Sequence, residues 1–174
     1  MKENELRLIC ELMKDSRRSD RELAKAVGVS QPTISRMMNK LEKEGIIREY
    51  TIVPDFSKLG FGIMSVEFIR LKEPIPEEKL EKIREQVRQT LWKDPMSMIA
   101  GMSGIGLNAD RIVIAFHEDY SAYTEHLKKI RDHPLARADQ IATFLVDLND
   151  KNQYLLPTLS TLADYITYKK LKRK

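Results

Sequence analysis

Cysteine is almost missing from this 174-residue chain, and the single Cys10 excludes any intrachain disulfide. Aromatic residues make up only 7%, with one Trp, and Gly and Pro number seven each, which excludes collagen-like and Gly/Pro-rich low-complexity architectures. No apolar run approaches the roughly 20 residues that a membrane-spanning helix needs. The opening MKENELRLICELMKD carries charges throughout its apolar pattern and has no small-residue cleavage site, so no signal peptide is expected. These absences predict a soluble, cytoplasmic protein without a membrane partner. A strong charge of one sign is missing too. The net charge of +4 divides into 12 Lys+Arg against 10 Asp+Glu over residues 1–60, 12 against 15 over 61–150, and 6 against 1 over 151–174. Any contact with a phosphate backbone must come from local clusters near the two ends.

What is present is 42% hydrophobic and 32% charged, ample for packed cores in one large or two small domains. Leu6, Ile9, Cys10 and Met13 fall at helical spacing and predict a first helix over 4–14 with Cys10 in its core-facing stripe. Ser19-Asp20-Arg21-Glu22 is a capping box that opens a second, short helix burying Leu23, Ala24 and Val27. Gly28 permits the positive φ of a sharp exit, Ser30 is placed to cap a third helix, and Pro32 fits its first turn. Ile34, Met37, Met38 and Leu41 line its inner face up to Gly45. The β-branched residues 46–53 read as a strand or wing.

From Gly60 the periodicity changes. Met64, Val66 and Phe68 alternate with polar residues as in a half-buried strand. Pro74-Ile75-Pro76 ends it and starts a helix faced by Leu80, Ile83, Val87 and Leu91 and closed by Asp94-Pro95. Two strands, 96–102 and 111–117, flank a Gly-rich connection. Tyr123, Leu127 and Ile130 mark another helix, stopped by His133-Pro134, and 141–148 is a last, almost wholly apolar strand. The order β-α-β-β-α-β is that of the ferredoxin-like motif, a four-stranded antiparallel sheet with two helices on one side. Leu159, Leu162, Ala163 and Ile166 predict a terminal helix that runs into the basic end Lys169 to Lys174; it is free to cover a sheet edge or a neighbouring chain. The fold class is therefore α+β, with a winged helix-turn-helix over 1–56, a ferredoxin-like domain over 57–150 and a helix with a basic tail over 151–174.

Leu23, Ala24, Val27, Gly28, Val29, Ile34 and Met37 supply the small or apolar residue at each place where two helices of a helix-turn-helix cross. A third helix so arranged lays its polar side into a DNA major groove, where each base pair shows a distinct donor and acceptor pattern. Gln31, Thr33, Ser35, Arg36, Asn39 and Lys40 are the candidate readers. Arg36 can grip a guanine edge with two hydrogen bonds, and Gln31 or Asn39 an adenine edge, whereas Ser30, Lys43 and Arg48 suit phosphates. Arg17, Arg18, Arg21 and Lys25 precede or line the second helix and can reach the backbone.

The segments ELAKAVGVSQPTISRMMNKLEKEGII and REYTIVPDFSKLGF, followed by a β-α-β-β-α-β unit, resemble the Lrp/AsnC family of feast/famine transcription regulators. The resemblance implies a homodimer built through back-to-back sheets, further assembly to tetramers or octamers, double-stranded DNA as partner, and an amino acid or related metabolite held near subunit interfaces. It also implies a short Gly-x-x-Asp turn after the second strand, from which this sequence departs with a longer run over 101–110. Gly101, Ser103, Gly104 and Asp110 are its nearest equivalents, and exposed loop N–H groups there suit a carboxylate. No Gly-Lys-Ser/Thr follows, so the run is not a phosphate loop.

His117, His126 and His133 are the only histidines; none stands three or four residues from another or pairs with cysteine. No metal site, cofactor or catalysis is expected. Asp119 reads as a helix cap. Two rivals remain. Related two-domain siroheme decarboxylases bind a tetrapyrrole in place of DNA, which calls for histidines or arginines around a large apolar pocket. A heterodimer partner that does not itself touch DNA would change mass on mixing with a related regulator and leave gel mobility of DNA unchanged.

Overall fold

In the computed structural model, the structure describes residues 1–73, 75–93, 97–132, 138–150, 152 and 158–171. In chain order the elements are α1 (Glu3–Lys14), α2 (Asp20–Val27), α3 (Gln31–Lys43), a 3₁₀ turn (Ser57–Leu59), β1 (Ile63–Leu71), α4 (Glu77–Lys93), β2 (Met98–Gly106), β3 (Ala109–His117), α5 (Tyr120–Arg131), β4 (Ala138–Asp147) and α6 (Ser160–Ile166), which continues as a π-helical turn (Thr167–Leu171). The chain divides into two compact units, Met1–Pro54 with Gln153–Lys174, and Asp55–Asn152.

The first unit is helical. Leu8, Leu23, Ala24, Val27, Ile34 and Leu41 form its buried core, with Ile9, Leu12, Val29, Met37, Met38 and Ile47 packed against it. Leu8, absent from the expected stripe of α1, is fully buried, whereas Leu6, Ile9 and Met13 are only half-buried. Leu8 packs into the cluster built with α2 and α3, and α1 also meets α6. The C-terminal helix thus joins this unit, with Ala163 fully buried and Lys14 Nζ 2.8 Å from the Asp164 carboxylate. Cys10 is buried as expected.

Residues 46–53, expected as a strand, form none. A β-branched segment needs a partner ladder, and no strand stands beside it in the described part of this unit. The segment is held instead by its ends: the Ile46 and Ile47 N–H groups donate to the Leu41 carbonyl at 2.9 and 3.1 Å, and the Tyr50 hydroxyl donates to Glu42 Oε1 at 2.7 Å.

The second unit carries one antiparallel sheet in the order β2-β3-β1-β4, the ferredoxin-like arrangement. Ser65 faces Ala115 and Glu67 faces Val113 across β1 and β3, and α5 packs over β3, β1 and β4. Because side chains alternate along a strand, Ser65, Glu67, Ile69, Val113, Ala115 and His117 share the covered face. Gly62 leads into β1, its N–H donating to the carbonyls of His117 and Glu118. A Cβ there would stand 2.8 Å from the Glu118 carbonyl oxygen, so the approach admits only glycine without a shift.

The expected long Gly-rich connection over 101–110 is replaced by paired strand. β2 runs on to Gly106 and β3 begins at Ala109, leaving a two-residue turn at Leu107-Asn108 with φ of 48° and 56°, the left-handed pair of a type I′ hairpin. Glycines carry no side chain to reveal a period of two, which is why strand here reads as loop. The expected face residues Val87 and Leu91, the helix stops at Asp94-Pro95 and His133-Pro134, Pro74, and the tail residues Lys172 to Lys174 lie outside the described residues or side chains.

Candidate nucleic-acid interface

Local chemistry sets α2 and α3. The Ser19 N–H donates to Glu22 Oε2 at 2.8 Å and the Glu22 N–H returns a bond to Ser19 Oγ at 3.3 Å, closing the capping box. Those Ser19 bonds hold the Glu22 carboxyl below its usual range. Gly28 takes φ 81° at the exit of α2. Ser30 then stands at the N-cap of α3 with extended backbone, yet its hydroxyl makes no cap bond; it pairs with the Thr33 hydroxyl at 2.8 Å.

At about 3.6 residues per turn, Ile34, Met37, Met38 and Leu41 hold one side of α3 to the core, and Arg36, Asn39 and Lys43 stand on the opposite, exposed side. Arg36 and Lys43 make no ion pair among the described residues. Gln31 and Ser35 are exposed on one flank, and Thr33 is half-buried on the other. Arg21 is exposed on α2, and Arg48 is exposed beyond α3. Arg18 is spent on an ion pair with Glu11.

Lys40, one of the candidate readers, is already engaged in ion pairs. Its ammonium lies 2.7 Å from Glu5 Oε1 and 3.7 Å from Glu44 Oε1, on the flank that faces α1. Glu5 is buried, and its other oxygen accepts the Lys2 N–H at 2.7 Å. The Lys40 bond, then the Lys2 N–H, hold the Glu5 carboxyl below its ordinary value; the same contact raises Lys40. A depressed carboxyl stabilises the fold above its unfolded pKa, and that contribution is lost as pH falls through and below the usual glutamate range near about 4.3. Glu5→Gln is therefore expected to lower the melting temperature at neutral pH and to flatten the acid-side decline below about pH 4.3. Parallel pH–melting curves for the variant and the parent, offset but not converging in acid, would contradict this.

The effector candidates are not gathered in a loop. Gly101, Ser103 and Gly104 lie exposed along β2, and Asp110 on β3 accepts the Leu71 N–H at 3.0 Å. The Ser103 hydroxyl accepts from Arg111. Asp119 caps α5 as expected, accepting the Ala122 N–H at 2.9 Å. The histidines depart from expectation: His117 and His126 meet in the second unit, ring centroids 4.9 Å apart, beside Glu67. Burial, and then His126, lower the His117 pKa. Nine positions and a change of element separate the two rings, so no helical spacing signals their contact.

Residues 1–48 match the winged helix-turn-helix DNA-binding family. LrpC of Bacillus subtilis, named an HTH-type transcriptional regulator, is 40% identical over 62 residues, covering 36% of this chain and 43% of LrpC; its solved structure superposes with a TM-score of 0.65 at 24% identity over 88% of this chain and 99% of that one. The chain is similar to regulators of the Lrp/AsnC type. Another relative, PH0061 of Pyrococcus horikoshii, named an uncharacterized HTH-type transcriptional regulator, is 37% identical over 76 residues, 44% of this chain and 51% of PH0061. The PH0061 crystal structure matches with a TM-score of 0.69 at 23% identity over 90% and 98% of the two chains. A complex of the Neisseria meningitidis regulator NMB0573 with L-methionine matches with a TM-score of 0.68 at 18% identity over 93% and 99%. At these identities the superpositions establish the fold. The chain spans about half the length of the curated relatives it matches, and none of the helices described is long and apolar enough to cross a membrane.

Proposed function

We propose that this chain is a transcriptional regulator of the Lrp/AsnC type, binding double-stranded DNA sequence-specifically as a homodimer and catalysing no reaction. The observation that carries it is the division of α3, with Ile34 and Leu41 fully buried while Arg36, Asn39 and Lys43 stand free on the outer side. Arg36 reads guanine, Asn39 or Gln31 reads adenine, and Ser30, Arg21, Lys43 and Arg48 hold phosphates. Lys40 is better placed to neutralise Glu5, which would otherwise set a buried negative charge beside the DNA face. A dimer of such units presents two recognition helices about 34 Å apart. Selection of bound fragments from random duplexes should therefore return near-palindromes with half-sites one helical turn, or a multiple of it, apart. No enrichment over the starting pool would sink the assignment.

The uncovered face of the sheet supports the homodimer. Val66, Phe68, Ile112 and Ile114 share it with Phe144 and Met102, the last two 65% and 49% exposed. An apolar sheet face of this kind is a liability in a lone chain. Phe144→Lys is expected to convert a dimer to a monomer in sedimentation or light scattering and to weaken binding to palindromic sites while leaving helical content intact. An unchanged mass would refute a dimer through this face. The reading extends to an amino-acid or small-metabolite effector, supported by L-methionine bound to NMB0573. Ser103 and Asp110 already serve Arg111 and Leu71, so among the four hairpin candidates only Gly101 and Gly104 backbone groups remain to meet it.

A further inference from the structure

On the covered face of the sheet, Ser65 and Glu67 project from β1, His117 from the end of β3, and His126 comes from α5. Ser65 and Glu67 are fully buried, and His117 and His126 are 2% and 5% exposed. One donor atom from each of Glu67, His117 and His126 lies within 4.8 Å of the others. His126 Nε2 is 3.3 Å from Glu67 Oε1, and His117 Nε2 is 4.0 Å from the same oxygen. The Ser65 hydroxyl sits between them, 2.7 Å from His117 Nε2 and hydrogen-bonded to Glu67 Oε1.

Hydrogen bonding leaves this cluster incomplete. Glu67 Oε2 and both ring nitrogens of His126 are buried without a hydrogen-bond partner, a condition that native interiors rarely tolerate. A simple ion pair between a protonated His126 and Glu67 would align an N–H on the carboxylate; the 3.3 Å contact does not. Two imidazoles and one carboxylate are instead an N₂O donor set, which with the rings deprotonated for ligation carries net charge −1, the kind that holds Zn²⁺ and its first-row neighbours. Bonds of about 2.0–2.1 Å at tetrahedral angles put donor atoms roughly 3.3 Å apart. The His126–Glu67 pair already has that separation, and His117, 4.0 Å from Glu67 Oε1 with all three donor atoms within 4.8 Å, has to move inward to complete the set. A cleft of about 270 Å³, bordered by Phe61, Ser97, Glu118 and Glu125, opens beside the two rings and gives an ion an entry path.

We propose that Glu67, His117 and His126 form a binding site for a divalent first-row transition-metal ion, with a fourth position open to the cleft. On ligation the Ser65 hydroxyl gives up His117 Nε2 and keeps its bond to the carboxylate, orienting that ligand from outside. The three ligands come from β1, β3 and α5, so the ion ties the helix to the sheet. This site is separate from the DNA-facing helix and stands whether or not the chain binds DNA.

Untagged full-length chain titrated with Co²⁺ should develop intense visible d–d bands that saturate at one ion per chain and are displaced by Zn²⁺. Zn²⁺ in hundred-fold excess over its dissociation constant should raise the melting temperature by about 5–10 °C. His126→Gln should lose both effects while keeping the far-UV circular dichroism of the parent. Should that variant fail to fold, X-ray absorption of the Zn²⁺-loaded parent decides: outer-shell scattering from two imidazoles is expected. A chain that stays colourless with an unmoved melting temperature, a folded His126→Gln that binds equally well, or a scattering shell without imidazole would overturn the site.

Discussion

Leu41→Ala is expected to lower the stability of the helical unit by about 2–5 kcal/mol, the range for emptying a fully buried leucine site. Leu41 is 0% exposed and packs in one cluster with Leu8, Leu23 and Ile34. Truncation removes side-chain atoms from the point where α3 is pressed against the core, and the neighbours that would have to collapse inward are themselves fully buried. Its carbonyl, which receives the Ile46 and Ile47 N–H groups, is untouched, so the loss reads side-chain packing and not the end of the helix. Against a typical total of about 5–15 kcal/mol, such a loss leaves the unit marginal at physiological temperature. Urea unfolding followed by far-UV circular dichroism should show a lower midpoint for the helical transition, and DNA retention should fail at temperatures where the parent still binds. Met37→Ala, at a half-buried position of the same face, should cost visibly less. A Leu41→Ala midpoint within about 0.5 kcal/mol of the parent would mean that α3 is not locked to the core in solution.

The parts of the fold that sequence reveals are those decided within a few residues. The Ser19–Glu22 box, the left-handed Gly28 and the Asp119 cap each close a bond over three or four positions, and the strand and helix periods of the second unit are local too. Misreadings arise where the deciding partner is distant. Leu8 is buried in one cluster with Leu23 and Ile34, 15 and 26 positions on along the chain. Residues 46–53 have β-branched side chains without a neighbouring strand to pair them. Ser103-Gly104 looks like loop because its period is erased by glycine, and the ladder with Arg111 decides otherwise. In the recognition surface the outward side of α3 follows from helical geometry alone, whereas the capture of Lys40 by Glu5 spans 35 positions. The meeting of His117 with His126 and Glu67 belongs to the same class: it exists only once β1, β3 and α5 are assembled.

Arg36→Ala is expected to reduce affinity for a selected site by about 1–3 kcal/mol, roughly 5- to 150-fold, and to relax base preference at one position of each half-site. The magnitude follows from a bidentate guanidinium–guanine contact; a phosphate contact from the same residue would weaken all sequences alike. Lys43→Ala distinguishes the two cases on the same helix face. It should weaken selected and random duplexes together and reduce the slope of log K against log salt by about one. Neither side chain has an ion-pair partner to lose among the described residues, and both are exposed, so melting temperatures should stay close to the parent and the changes can be assigned to the DNA contact. In a two-fold assembly each replacement acts twice, once per half-site, so the loss on a full palindrome should exceed the loss on a single half-site. Equal weakening of Arg36→Ala on selected and random DNA would move Arg36 to the phosphate-binding set and leave Asn39 and Gln31 as the base readers of α3.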